Sequence, residues 1–157
     1  MKKLTIEIPY EVYSFGELNE EARNLVDTAR EATRKSYAPY SKFHVGAAAL
    51  LENGIVVTGT NQENVAYPSG LCAERTALFY ANSQYPEVAI KALAIAARLA
   101  DGTPDRGIIT PCGACRQVML ETEKRFGTPM RILLCGEKEV YVMESVKCLM
   151  PLSFEEY

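Results

Sequence analysis

The 157-residue sequence predicts a single α/β domain, in which helices pack on one sheet. Three observations favour this fold class. Segments with strand character alternate with segments of helical periodicity along the chain. The length suits one domain, and the 48% of apolar residues are enough to build a buried core. Neither an internal repeat nor a low-complexity linker interrupts the alternation.

The elements are predicted from local patterns and their punctuation by turn residues. In order, we expect an N-terminal arm at 1–17 with a strand at 4–8, a helix at 19–37, strands at 40–51 and 55–60, a helix at 72–81, a strand at 88–98, a helix at 112–126, strands at 130–135 and 139–142, and a short helix at 144–150.

Caps and turns set the boundaries of these elements. Asn19 is a favourable N-cap for the first helix, and Pro39 pushes the residue before it out of the helical region. Asn53 and Gly54 predict a tight hairpin turn because both tolerate positive φ. Gly46, within a strand, indicates that another backbone or a ligand comes close.

Composition and charge argue against several function classes. The net charge of −3 and the pI near 5.3 disfavour a dedicated nucleic-acid-binding protein. The sequence contains no apolar run long enough to span a membrane and shows no signal-peptide pattern. Five cysteines, an odd number, fit metal binding better than a disulfide framework. We therefore expect a cytoplasmic location, with no membrane and no nucleic acid as partner.

Two short motifs carry the chemistry. Cys72 lies two residues before Glu74, and Cys112 and Cys115 form a Cys-x-x-Cys pair directly after Pro111. Three thiolates suit Zn²⁺, which is usually tetrahedral, and three protein ligands leave one position for water. Because a structural zinc site normally has four protein ligands, the pattern predicts an open, catalytic zinc site.

The residues around the cysteines fit the same interpretation. Glu74 is close enough to a ligand to transfer protons to and from a zinc-activated water without ligating the metal. Helix starts at both motifs would favour thiolates. Arg75 and Arg116 could offset the negative charge of the sulfurs.

Simpler interpretations exist for each of these residues. A Cys-x-x-Cys pair alone also occurs in redox sites and zinc ribbons, and a glutamate in the first turn of a helix is often only a favourable charge. His44, the only histidine, is too isolated to indicate a ligand. Two further cysteines and five aromatic residues are expected to be buried in the core: Cys135, Cys148, Tyr37, Tyr40, Phe43, Phe79 and Tyr80.

With these motifs the sequence resembles the nucleoside (cytidine) deaminase family, in its small, three-cysteine, homotetrameric type. The resemblance extends from residue 19 to residue 154, and four blocks in family order carry it: residues 38–47, 61–64, 72–77 and 111–117. It implies a catalytic domain at residues 18–157 with a three-layer fold, in which helices cover both faces of a mixed five-stranded sheet. The arm at 1–17 lies outside it.

The resemblance also implies roles for individual residues. They are zinc binding by Cys72, Cys112 and Cys115, proton transfer by Glu74, contact of Phe43 with the pyrimidine, binding of ribose hydroxyls by Asn61 and Glu63, contact of the Ala73 N–H with the base carbonyl, support of the thiolates by Arg75 and Gln117, and contact of Phe154 with a neighbouring subunit's site.

The expected reaction is hydrolytic deamination of cytidine and 2′-deoxycytidine in pyrimidine salvage, with Zn²⁺ as cofactor, in a homotetramer. Three alternatives stay open at this point. They are a deaminase of the same fold acting on an aminopyrimidine nucleoside antibiotic (blasticidin-type), a deaminase of cytosines in polynucleotides, and a zinc-stabilised binding module without enzymatic activity.

Overall fold

The computed structural model describes residues 1–105 and 107–155. Its strands and α-helices, in chain order, are β1 (Glu11–Ser14), α1 (Glu20–Ala32), β2 (His44–Leu51), β3 (Val56–Thr60), α2 (Ala73–Gln84), β4 (Ile90–Arg98), α3 (Gly113–Phe126), β5 (Arg131–Cys135) and β6 (Glu139–Met143). Short 3₁₀ turns occupy Phe15–Glu17, Thr33–Lys35, Tyr67–Ser69 and Val146–Leu149. Among these described residues, we find no helix with the length and apolar character needed to cross a membrane.

The strands form one mixed sheet in the order β1-β6-β5-β4-β2-β3. Only the β4–β5 pair is parallel, and the other neighbours are antiparallel. The mixed α/β class is confirmed, but the described sheet has six strands rather than the five expected. The additional strand is β1, in which Glu11 pairs with Val142 of β6.

The strand in the N-terminal arm was predicted in the wrong place. Residues 4–8 lie exposed outside any strand, and Pro9 separates them from β1. Proline offers no N–H for a strand ladder, so the pairing begins only after it. The β6 edge then provides the N–H and C=O groups that residues 11–14 need.

Helices cover both faces of the sheet, as expected. On one face Leu25, Val26 and Ala29 of α1 belong to one buried cluster. On the other face Leu78 of α2 and Met119 of α3 belong to a second cluster. Alternating strand residues supply both clusters, which explains why the central strands are almost continuously apolar.

The first helix is shorter than predicted, and it packs closely on β2. It ends at Ala32 and tightens into the 3₁₀ turn before the chain enters the loop. A Cβ atom at Gly46 would lie 2.3 Å from the Ala29 carbonyl oxygen and 2.6 Å from the Thr33 nitrogen. The prediction that Gly46 allows close approach of another backbone is confirmed.

Strand direction brings the starts of two helices together. Both β3 and β4 run antiparallel to β2, so their carboxyl ends lie at the same edge of the sheet. The chain enters α2 after β3, and it enters α3 after β4. The N-termini of α2 and α3 therefore meet at one edge, where both cysteine motifs are located.

Candidate active site

The cysteines stand at the starts of the two helices. Cys72 is the N-cap of α2, Cys112 is the N-cap of α3, and Cys115 lies in the first turn of α3. Each helix thus begins one residue later than predicted, which places Cys72 before the first turn rather than in it. Neither capping cysteine donates or accepts a side-chain cap hydrogen bond, so both sulfurs stay available for another partner.

The three sulfurs form a cluster that fits a zinc ion. The Sγ atoms of Cys72 and Cys112 are 3.8 Å apart, and those of Cys112 and Cys115 are 3.4 Å apart. Tetrahedral zinc with Zn–S bonds of ~2.3 Å requires sulfurs about 3.8 Å apart. In the described part of the chain, these three cysteines alone make up the group of potential ligands. The donor set therefore fits zinc and leaves its fourth position open.

The charge of the cysteine cluster depends on the Arg75 guanidinium and on hydrogen bonds between the thiols. The Arg75 guanidinium donates to the Cys72 sulfur at 3.7 Å. Hydrogen bonding from the Cys115 thiol, assisted by Arg75, lowers the pKa of Cys72 to about 5. The same hydrogen bond, together with burial, raises the pKa of Cys115. The cluster thus favours a thiolate at Cys72, which is the form that binds a metal.

The other predicted cation lies elsewhere. Arg116 donates to two backbone oxygens, that of Pro111 at 2.9 Å and that of Leu149 at 2.6 Å. It joins the loop before α3 to the C-terminal segment instead of contacting a sulfur. The hypothesis of charge compensation is supported for Arg75 but is wrong for Arg116.

Glu74, the second residue of α2, is almost fully buried, with 4% of its surface exposed. Burial raises the pKa of Glu74, and the negative charge of Cys72 adds to this effect. A carboxyl group whose pKa lies closer to neutrality takes up and releases protons more readily at physiological pH. The environment of Glu74 therefore suits proton transfer.

A cavity of about 540 Å³ opens beside the cluster. Four of its lining residues were predicted as functional, namely Asn61, Glu63, Cys72 and Arg75. The other lining residues were not predicted to line it: Tyr40, Ser41, Gln62, Asn64, Tyr67, Gly70 and Leu71. All of these lie in the motif blocks or within three residues of one, so proximity in sequence was the available signal. A cavity of this volume accommodates a small organic ligand.

The loop between α1 and β2 holds the polar groups of this cavity. The Glu63 carboxylate accepts from the backbone N–H of Tyr40 at 2.9 Å and of Ser41 at 3.3 Å, and from the Ser41 hydroxyl. The Ser41 hydroxyl is the main cause of the lowered pKa of Glu63. Glu63 is therefore held as a carboxylate, which can only accept hydrogen bonds.

A family model described as the cytidine and deoxycytidylate deaminase zinc-binding region matches residues 19–127. The chain belongs to this deaminase family. A cytidine deaminase of Sporosarcina psychrophila is 45% identical over 101 residues, which cover 64% of this chain and 69% of that protein. A probable cytidine deaminase of Dictyostelium discoideum is 40% identical over 102 residues, which cover 65% of each chain.

Solved structures agree with this assignment. The crystal structure of cytidine deaminase from Burkholderia pseudomallei matches with a TM-score of 0.72 and 37% identity, covering 87% of this chain and 100% of that chain. That of cytidine deaminase from Mycobacterium tuberculosis matches with a TM-score of 0.67 and 33% identity, covering 88% and 100%. The protein is thus a zinc-dependent deaminase, and a zinc module without enzymatic activity is disfavoured.

Some predicted residues of this deaminase do not line the cavity. Phe43 lies two residues from the lining residue Ser41, and Ala73 and Glu74 are adjacent in sequence to lining residues, but none of the three is itself part of the lining. Gln117 lies outside it too, and its amide donates to the Phe154 carbonyl at 3.1 Å rather than to a sulfur. Gln117 therefore binds the C-terminal segment to α3, and its predicted support of the thiolates is not seen.

The aromatic residues were mostly predicted in the wrong environment. Tyr37, Tyr40, Phe79 and Tyr80 are exposed rather than buried, and Phe43 is half-buried. Phe154 is exposed as well. Strong apolar character predicted burial in the core of one chain, but α2 and the loops place these rings on the surface. Cys135 is buried, as predicted.

Proposed function

We propose that this deaminase converts cytidine and 2′-deoxycytidine to uridine and 2′-deoxyuridine by hydrolysis, with release of ammonia. The observation that carries the proposal is the three-sulfur cluster beside buried Glu74, at a cavity whose polar groups suit a sugar. The relatives named as cytidine deaminases support the choice of base.

Proton transfer by Glu74 is the central step of the proposed reaction. Cys72, Cys112 and Cys115 would hold the zinc ion, which would act as a Lewis acid and make water a better nucleophile. Glu74 accepts a proton from the water that attacks C4 of the base and passes it to N3. It then takes the second proton from the hydroxyl now on C4 and delivers it to the amino group, so that the C4–N bond breaks and ammonia leaves as the C4 carbonyl forms. The buried position of Glu74 keeps these transfers away from bulk solvent.

Binding of the substrate would use two residues that line the cavity, Asn61 and Glu63, and two that lie close to the lining in sequence, Phe43 and Ala73. Asn61 and Glu63 would bind hydroxyls of the sugar, and Phe43 would contact the pyrimidine. The N–H of Ala73, at the start of α2, has no acceptor within the helix and would donate to the base carbonyl. A site built to hydrogen-bond hydroxyls penalises a ligand that lacks them, so free cytosine should be a poor substrate.

The decisive experiment is a direct spectrophotometric assay. Purified zinc-loaded protein is mixed with cytidine, 2′-deoxycytidine, cytosine or single-stranded DNA, and the ultraviolet absorbance of the cytosine base is followed. We expect loss of absorbance with both nucleosides and little with the other two. Glu74→Gln should retain zinc but lose at least about 100-fold in rate, since general acid–base catalysis contributes ~10²–10⁴. Absence of nucleoside turnover by zinc-loaded wild type would refute the proposal.

The exposed aromatic residues support the further proposal of a homotetramer. Tyr67 is 78% exposed and Tyr80 is 57% exposed, so an isolated chain would leave both aromatic rings largely in water. Phe154 would reach a neighbouring subunit's site. Light scattering should give four times the chain mass, whereas a stable monomer would contradict the assembly.

The N-terminal arm has a separate proposed role in subunit contact. The arm (residues 1–17) lies outside the family match, and its side chains Leu4, Ile6 and Ile8 are exposed on alternate positions. Replacing Leu4 and Ile6 by glutamate should weaken assembly, measured as a lower mass on dilution. The Lys2→Glu variant is the control for the change in charge.

The cellular setting is proposed from the cysteines and the reaction. None of the five cysteines, all of them described residues, forms a disulfide, which agrees with a reducing cytoplasm. Conversion of cytosine nucleosides to uracil nucleosides is a step of pyrimidine salvage. Growth on cytidine of a uridine-requiring strain without a cytidine deaminase of its own tests this setting, because only a strain with active deaminase could use cytidine as its source of uridine.

A further inference from the structure

We propose that Ser36, held by His44, is a positioning residue that makes Asn61 a pure hydrogen-bond donor toward the sugar of the substrate. The inference rests on the proposed function, since it specifies how the nucleoside's sugar is recognised. Neither Ser36 nor His44 received a functional role from the sequence motifs. Ser36 lies between α1 and β2 in the loop that surrounds Asn61, and His44 is the first residue of β2.

Hydrogen bonds within the protein occupy all but one of the donor and acceptor positions of the Asn61 side chain. Its Oδ1 accepts from the Ser36 hydroxyl at 2.6 Å and from the Val45 N–H at 2.8 Å. Its Nδ2 donates to the Phe43 carbonyl at 2.9 Å. An amide oxygen has two lone pairs and an amide nitrogen has two N–H groups. One N–H group is therefore all that Asn61 has left for a ligand.

The neighbours also fix the orientation of this amide. A rotation by 180° would place the Asn61 NH₂ group against the Val45 N–H and the Asn61 oxygen against the Phe43 carbonyl. Both contacts would be repulsive, so the backbone selects one orientation. The Ser36 hydroxyl then occupies the second lone pair, which a water or a sugar hydroxyl could otherwise take.

His44 determines the direction in which the Ser36 hydroxyl points. The only proton on Ser36 Oγ is donated to Asn61. The Nδ1 atom of His44 lies 3.1 Å from the same oxygen, so it must be the donor in that contact. The three side chains thus form a chain of hydrogen bonds that runs from His44 through Ser36 to Asn61.

The Glu63 carboxylate provides a hydrogen-bond acceptor to complement the donor of Asn61. Glu63 lines the same cavity as Asn61, and an ionised carboxylate only accepts hydrogen bonds. A donor and an acceptor together match a free hydroxyl, which accepts through its oxygen and donates its proton. A sugar carrying hydrogen in place of that hydroxyl leaves both groups unpaired, and this loss is the source of discrimination.

The test compares cytidine with 2′,3′-dideoxycytidine, which lacks both secondary hydroxyls. The measured quantity is the ratio of kcat/KM for the two nucleosides, together with the split between kcat and KM. Ser36→Ala should reduce the ratio about fivefold, the effect of one neutral hydrogen bond, through KM for cytidine. Ser36→Thr retains the hydroxyl and should restore the ratio. Thr28→Ala, which removes an exposed hydroxyl bonded within α1, is the control.

A second pair of variants tests the role of the histidine. His44→Phe removes the donor to Ser36 and should reduce the same ratio, whereas His44→Asn keeps a polar donor at the δ position and should retain most of it. Thermal unfolding of each variant separates these effects from loss of the fold. A purely structural role would lower kcat/KM for both nucleosides equally.

The outcomes distinguish the inference from the function on which it rests. If wild type turns over neither nucleoside, the proposed function fails. If wild type accepts both equally well, the sugar-binding assignment and this inference both fail. If wild type discriminates but Ser36→Ala leaves the ratio unchanged, the positioning role alone is overturned and the deaminase activity stands.

Discussion

Replacing Gly59 by alanine should separate α2 from the sheet and thereby disturb the zinc cluster. Gly59 lies in β3, directly beneath the first turns of α2. A Cβ atom there would lie 2.3 Å from the Ala77 nitrogen and 2.4 Å from the Ala73 carbonyl oxygen. These atoms belong to the backbone of the helix, so no side-chain rotation relieves the clash. The whole start of α2 has to move.

The distances give the size of the expected effect. Ordinary contacts between such atoms are near ~3.5 Å, so α2 must withdraw by about 1 Å. This movement carries Cys72 and Glu74 with it, but it does not carry Cys112 and Cys115 on α3. A displacement of 1 Å at a reacting group costs about 100-fold in rate. Overpacking also destabilises a core by about 1–3 kcal/mol.

The assay measures three quantities on Gly59→Ala and on the control Gly16→Ala, whose added Cβ would meet nothing within 4 Å. They are zinc content per chain, kcat/KM for cytidine and the temperature of thermal unfolding. We expect zinc content, kcat/KM and unfolding temperature all to be lower in Gly59→Ala than in wild type, and all three to be unchanged in Gly16→Ala. A Gly59→Ala protein with one zinc per chain and wild-type kcat/KM would refute this account of how α2 is positioned.

Three further predictions concern the metal and the core. Arg75→Ala should weaken zinc binding about 10–100-fold in a competition with a coloured chelator, and unchanged affinity would contradict the contact with Cys72. Glu123→Ala should lower the free energy of unfolding by about 2–4 kcal/mol in a urea titration, because the buried N–H groups of Met130 and Val146 lose their acceptor. Glu121→Ala, at an exposed position of the same helix, is the control and should leave the free energy of unfolding unchanged. Removal of zinc should abolish activity and lower the unfolding temperature in calorimetry, both reversed by added zinc. Retained activity in zinc-free protein would be the opposite result.

Part of the sulfur cluster was predictable, because the spacing of Cys112 and Cys115 already places both sulfurs on the same side of a helix start. A Cys-x-x-Cys pair at a helix start converges on one point whatever the rest of the fold does. The position of Glu74 beside the cluster was predictable for the same reason, since it is two residues from Cys72. The distance between Cys72 and the other cysteines was beyond local patterns, because it depends on the order of the strands in the sheet.

Other features depend on contacts between segments that are distant in sequence. Nothing local distinguishes Gly59, which packs under α2, from Gly16, which packs under nothing. Arg116 follows a ligand directly, and only the tertiary fold shows that it binds two backbone oxygens. The strand β1 forms because the edge of β6 is available, a condition that its own sequence does not specify.

The beginning of α2 also links occupancy of the cavity to local order. Cys72 occupies the N-cap position, but its side chain accepts no hydrogen bond from the first N–H groups of the helix. A serine or aspartate at this position would accept one. A pyrimidine whose carbonyl accepts from the Ala73 N–H would supply the missing acceptor, so the ligand itself would complete the helix. Hydrogen exchange at the first backbone amides of α2 should therefore slow when a non-reactive nucleoside binds. The rate of exchange at this helix end would then report whether the cavity is occupied.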